Sequence, residues 1–97
     1  MKAELLARQR FELEEELIVE TVLWRVPAPV PGSSHSYKYR LALIDRGVCV
    51  LRYDNEAGKG DHKHVGAVEF GYLFSTVEAL EFDFLTDVSA YRKGGRQ

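Results

Sequence analysis

The chain has 97 residues, 45% hydrophobic and 29% charged, with a formal net charge of −2. Such a composition suits one folded domain over residues 1–97 with a modest core, and it argues against a disordered chain and against a protein that coats nucleic acid by bulk positive charge. The lone cysteine, Cys49, excludes an internal disulfide and a thiolate metal cluster.

From Phe11 onward apolar and polar residues alternate through Phe11, Leu13, Leu17, Val19 and Leu23, although residues 2–17 are rich in helix formers. Two strands joined by a polar turn near residues 14–16 are expected. Residues 18–26, rich in Val, Ile, Thr and Trp, read as strand, with Trp24 in the core. Pro27, Pro29 and Pro31 then end the ladder, because proline lacks the backbone donor, and residues 32–36 continue as an exposed connection.

Residues 37–44 and 48–54 form the clearest hairpin. Asp45-Arg46-Gly47 suits a three-residue loop with glycine in the left-handed region. That register sets Ile44 opposite Val48, Ala42 opposite Val50, Arg40 opposite Arg52 and Lys38 opposite Asp54. One face then carries Tyr37, Tyr39, Leu41, Leu43, Cys49, Leu51 and Tyr53; the other presents Lys38, Arg40, Arg52 and Asp54. Cys49, in the run VCVL, reads as a small packed hydrophobe.

A short strand is expected around residues 67–70. Ser75 with Glu78 three residues on has the form of a capping box. Val77, Leu80, Phe84, Val88 and Tyr91 follow at three- and four-residue steps, so a helix runs to about Arg92 and stops at Gly94-Gly95. The expected fold is α+β: an antiparallel meander of four to five strands packed on one face by a C-terminal helix. There is no secretory apolar region and no run of membrane-spanning length, so a cytoplasmic location without membrane association is expected.

The densest chemistry lies in RYDNEAGKGDHKH, residues 52–64, read as a loop leaving a strand. Cleaving RNA requires a base for the 2′-hydroxyl, an acid for the leaving oxygen and fixed positive charge near the phosphorus. Histidine is the side chain that ordinarily changes charge near neutrality, so His62 and His64 suit the proton transfers. Asp61 and Tyr53 complete the catalytic candidates, with Tyr53 or Tyr39 as a platform for a base. Arg40, Arg52, Lys38, Lys59, Asp54 and Asn55 are the substrate-binding candidates. No cofactor and no metal is required by this scheme.

Plainer readings compete. Asp54-Asn55 followed by Gly58 also makes an ordinary turn. If residues 61–64 are extended, His62 and His64 point to one side and can instead share a metal ion with Asp61 or Asp54, with His35 the one evident distant ligand. Lys59 between glycines is not a phosphate-binding P-loop, since no serine or threonine follows it. Asp83 and Asp87, one helical turn apart, are either an acid–base pair or a solvated helix edge.

WRVP (24–27), SYKYRLALID (36–45), RYDNEAGKGDHKH (52–64) and YLFSTVEALEFDFLTDV (72–88) together resemble the TumE-type family of small toxins from bacterial toxin–antitoxin modules. The resemblance implies a toxin role and a helix-turn-helix antitoxin as partner. It carries over onto Tyr53, Asp54, Asn55, Gly58, Lys59, Gly60, Asp61, His62 and His64. EEEL at residues 14–17 departs from the family's clearer turn. The resulting expectation is a toxin that acts as a metal-independent endoribonuclease, with RNA and a second copy of the chain as further candidate partners. The alternative is a non-enzymatic protein- or RNA-binding module, or a metal-binding domain, using the GKGDHKH segment.

Overall fold

Every second residue of the central strands is apolar, and that parity sets the layering. A computed structural model describes residues 2–95. The elements follow as β1 (Glu4–Glu14), β2 (Leu17–Arg25), β3 (Tyr37–Asp45), β4 (Val48–Glu56), β5 (Gly60–Val65), β6 (Val68–Gly71) and α1 (Val77–Lys93). Each strand pairs antiparallel with the next, giving a six-stranded meander. The α+β class and the two N-terminal strands are as expected. The strand count is six, not four to five, because the segment read as a loop is a second hairpin made by β4 and β5.

Leu17, Val19 and Leu23 of β2, Tyr39, Leu41 and Leu43 of β3, and Leu51 and Tyr53 of β4 point to one side of the sheet. There they meet Leu80, Phe84 and Val88 of α1. The four-residue spacing of those helix residues keeps them on one stripe, and each large apolar side chain buried this way contributes about 1.5 to 3 kcal/mol. Thr76, not Ser75, caps the helix, accepting a hydrogen bond from the Ala79 backbone N–H at 3.0 Å.

Tyrosine hydroxyls fasten α1 to the sheet. Tyr91 donates to Asp45 at 2.5 Å, Tyr53 to Asp87 at 2.5 Å and Tyr72 to Asp83 at 2.6 Å. Asp83 and Asp87 therefore dock the helix and do not pair with each other as acid and base. Among the described residues no helix is long and apolar enough to cross a membrane.

The β3–β4 hairpin departs from the expected register. Asp45 pairs with Val48 across a two-residue turn, with Arg46 and Gly47 both at positive φ, and a bulge between Leu43 and Ile44 follows. Turn and bulge together shift the pairing by two residues, so the faces keep their parity while the partners change. Arg40 lies opposite Asp54 and Ala42 opposite Arg52. Opposite charges thus replace the expected Arg40–Arg52 pair, which like-charge repulsion disfavours. Between turn and bulge the shift is by one only, so Cys49 lies opposite Ile44 on the uncovered face and is exposed, not packed. Trp24 pairs with Lys38 and Leu5, is half-buried, and lies on the face away from the helix, outside the core.

Candidate functional site

β5 reads Gly-Asp-His-Lys-His-Val, and strand alternation divides it cleanly. Asp61 and Lys63 face the helix side; His62 and His64 face the uncovered side. Cross-strand pairing sets Asp54 opposite His62, Arg52 opposite His64, and Glu69 of β6 opposite His64. Since Arg40 lies opposite Asp54, the uncovered face carries two adjacent rows, Arg40–Asp54–His62 and Arg52–His64–Glu69.

The rows converge. His62 Nε2 stands 2.7 Å from Asp54 Oδ1, and Arg52 Nε stands 3.1 Å from Asp54 Oδ2. Glu69 Oε2 lies 3.4 Å from His64 Nε2 and 3.7 Å from His62 Nε2. The two imidazole rings meet edge to face with centroids 5.1 Å apart. His62 and Asp54 are only 4% and 7% exposed, whereas His64 is half-buried at the rim. His62 Nδ1 donates to the Gly60 carbonyl at 3.0 Å, since a carbonyl can only accept. That bond leaves Nε2 as the atom turned toward Asp54.

Cations on this face are matched by carboxylates. Arg40 lies 3.7 Å from Glu20, and Lys59 bonds Glu69 at 3.0 Å. The Lys59 ammonium holds Glu69 below the ordinary carboxylate range, and Glu69 in turn raises Lys59. Asp54, His62 and His64 each offer a ligand atom, all within 4.8 Å of one another, so this trio is also where a metal ion can be held.

Close packing of two glycines fixes the start of β5. Gly60 has φ +75°, and a Cβ there would lie 2.5 Å from the Gly32 carbonyl oxygen. The Gly58 N–H donates to Pro31 O at 2.7 Å. The proline-rich connection is thus seated on the β4–β5 turn.

The remaining candidates sit elsewhere. Asp61, on the helix side, accepts from Tyr39 at 2.6 Å and Ser33 at 2.7 Å, and lies 2.6 Å from His35 Nε2. His35 Nδ1 accepts the Tyr37 N–H at 3.1 Å, which makes Nε2 the donor to Asp61. Burial would raise Asp61, but the bonds from Tyr39, Ser33 and His35 outweigh it and bring the carboxyl below its usual range. Burial, then the Asp61 bond, pushes the Tyr39 phenol far up. Tyr53 lies under α1, likewise raised by burial and its bond to Asp87.

Asn55, fully buried, uses its amide as a length of ladder: Oδ1 accepts from Tyr39 N–H at 3.0 Å and Nδ2 donates to Tyr37 O at 2.7 Å. Lys38 donates to the Asn55 carbonyl. The structure therefore brings together His62, His64, Asp54, Arg52 and Arg40, with Lys59 joined through Glu69. It sets Asp61, Tyr53, Asn55 and Lys38 to architectural contacts. Sequence reasoning missed Glu69, whose only signal is a position opposite His64 that register alone reveals.

Among curated proteins and among solved structures, nothing matches the chain. A family model described as Toxin TumE matches residues 2–92. That span takes in the whole sheet, both rows of the uncovered face and nearly all of α1, and the chain belongs to the TumE toxin family.

Proposed function

We propose that the chain is a toxin that cleaves RNA on the uncovered face of its sheet. Family membership supplies the toxin role and implies an antitoxin counterpart in general. The observation that carries the RNA reading is the pair of rows themselves. Arg40 and Arg52 flank a buried Asp54–His62 pair, with His64 at the rim, on a sheet face that no helix covers among the described residues. Guanidinium groups beside titratable imidazoles suit a phosphodiester, whose cleavage concentrates negative charge on non-bridging oxygens.

His62 is too deeply buried to exchange protons directly with a polymer. Its place suits a group that holds something, so the two-imidazole acid–base scheme gives way to Asp54, His62 and His64 acting as a unit. The test is incubation of the purified protein with total RNA. Cleavage by the native chain and a loss of about a hundredfold or more in His64→Ala are expected. Absence of cleavage by the native protein would overturn the enzyme reading in favour of a binding module.

A protein-docking surface is favoured by a separate observation. Phe82 is 70% exposed on α1, near Leu85 of the same helix, and Phe11 is exposed on β1. We assign this apolar area to the antitoxin, with the helix-turn-helix type expected from the family resemblance. Co-purification with the antitoxin, weakened by Phe82→Glu, tests that assignment.

A further inference from the structure

We propose that Asp54, His62 and His64 bind a divalent transition-metal ion, with Zn²⁺ the best match, and that Glu69 closes the site from its rim. Three observations converge. First, Asp54 Oδ1, His62 Nε2 and His64 Nε2 are buried atoms without a hydrogen-bond partner, and they are the same three atoms that lie within 4.8 Å of one another. Buried polar atoms are nearly always satisfied, so three clustered atoms able to donate a lone pair indicate a shared partner; the fourth orphan, Arg52 Nε, is a donor lying 3.1 Å from Asp54 Oδ2.

Second, the close pair is arranged for a ligand more than for a proton. His62 Nε2 and Asp54 Oδ1 are 2.7 Å apart yet not aligned as a hydrogen bond. With Nδ1–H committed to Gly60 O, the remaining nitrogen, Nε2, faces a carboxylate oxygen, and a shared cation there would relieve the contact. A proton there would satisfy one contact and leave His64 Nε2 unserved. A metal ion serves all three.

Third, the surroundings supply what metal sites require. A ligating histidine commonly donates its other ring N–H to a carbonyl, as His62 does, and the charge of a ligating carboxylate is commonly offset by a neighbour, as the Arg52 guanidinium, 3.1 Å from Asp54 Oδ2, offsets Asp54. The ligands come from adjacent strands in fixed cross-strand register, so the site is built on the rigid part of the molecule. Two imidazoles and a carboxylate form a three-ligand set that leaves room for a further ligand. Around one Zn²⁺ such atoms stand roughly 3.3 Å apart at bond lengths near 2.0 Å, so binding would widen the 2.7 Å His62–Asp54 contact and bring separations of up to 4.8 Å inward.

The inference rests on the cluster and not on the RNA reading, so it is measured on the free protein. Zn²⁺ titration of metal-stripped full-length chain, followed by calorimetry and thermal unfolding, should show one equivalent bound and a raised melting temperature. His64→Gln, at the half-buried rim, and the near-isosteric Asp54→Asn should each weaken binding by about tenfold or more while remaining folded. Co²⁺ in place of Zn²⁺ should give the visible absorption of a low-coordinate nitrogen–oxygen site, lost in both variants. No binding by the native chain, or binding left unchanged by both substitutions, would overturn the proposal.

Discussion

Replacing Asn55 with alanine should unlock the corner of the sheet on which the site rests. The β3–β4 ladder ends at the Arg40–Asp54 pair, and beyond it the Asn55 amide takes the place of backbone bonds. It accepts from Tyr39 N–H at 3.0 Å and donates to Tyr37 O at 2.7 Å and to Ser33 Oγ at 3.2 Å. Truncation leaves a buried donor and acceptor unserved, at about 1 to 3 kcal/mol each, so a loss of roughly 3 to 5 kcal/mol is expected. For a domain of this size that lowers the melting temperature on the order of 15 °C or more. Asn55→Asp should do no better: it keeps the acceptor, loses the donor, and sets a negative oxygen against the Tyr37 carbonyl. Urea unfolding followed by the fluorescence of the sole tryptophan, Trp24, measures both variants. A loss below about 1 kcal/mol in Asn55→Ala would refute the view that this amide carries the ladder.

Gly60→Ala combines a positive φ with a Cβ 2.5 Å from the Gly32 oxygen, and should cost more than about 2 kcal/mol. Gly47→Ala, with φ +83° but nothing within 4 Å, should lose only the conformational part, about 1 to 2 kcal/mol, in the same denaturant assay. Tyr91→Phe removes the bond to buried Asp45 and should cost about 1 kcal/mol, read as an earlier urea midpoint at unchanged slope. Alkaline pH should destabilise the fold in a defined window. Burial first, then bonds to Asp61 and Asp87, raises Tyr39 and Tyr53, so the unfolded chain gives up these protons from about pH 10 while the folded chain keeps them. Stability present in full below that pH should fall above it by roughly 1.4 kcal/mol per pH unit for each tyrosine, checked by urea midpoints alongside tyrosinate absorbance.

Parity was legible in the sequence and register was not. The buried set Tyr39, Leu41, Leu43, Leu51 and Tyr53 follows from alternation alone, because only one choice of face buries it. Asp45-Arg46-Gly47 reads equally well as a three-residue loop. What selects the two-residue turn is the later bulge together with the partners Arg40 and Asp54, and no local signal states that choice. β5 was hidden for a different reason. Its helix-side residues are Asp61 and Lys63, which bond Tyr39 and Asp87, so the strand lacks the apolar half that marks alternation. Read as a loop, residues 60–64 have no sides; only the extended alternative puts His62 and His64 together, and it still leaves Asp61 as a candidate ligand beside them. The imidazole pair itself was legible; its partnership with Asp54 and Glu69 depends on pairing across three strands.

The five aspartates divide the molecule by task. Asp45, Asp61, Asp83 and Asp87 each accept a bond from a tyrosine hydroxyl, of Tyr91, Tyr39, Tyr72 and Tyr53 respectively, all on the helix side. Asp54 alone turns to the uncovered face, where its neighbours are an imidazole and a guanidinium. The helix is docked and the proline-rich connection seated without it. Orphaned polar atoms cost about 1 to 3 kcal/mol each, so keeping Asp54, His62 and His64 buried together lowers the stability of the metal-free chain. A cation bound there changes the electrostatics of the whole face as well. Asp54 and Glu69 now offset Arg52 and Lys59; a divalent ion would consume the carboxylate charge and leave the two basic groups to attract phosphate. If the proposed ion binds, the stability of the cluster and the attraction of this face for phosphate should both rise with it, and added Zn²⁺ that leaves phosphate binding unchanged would separate the two.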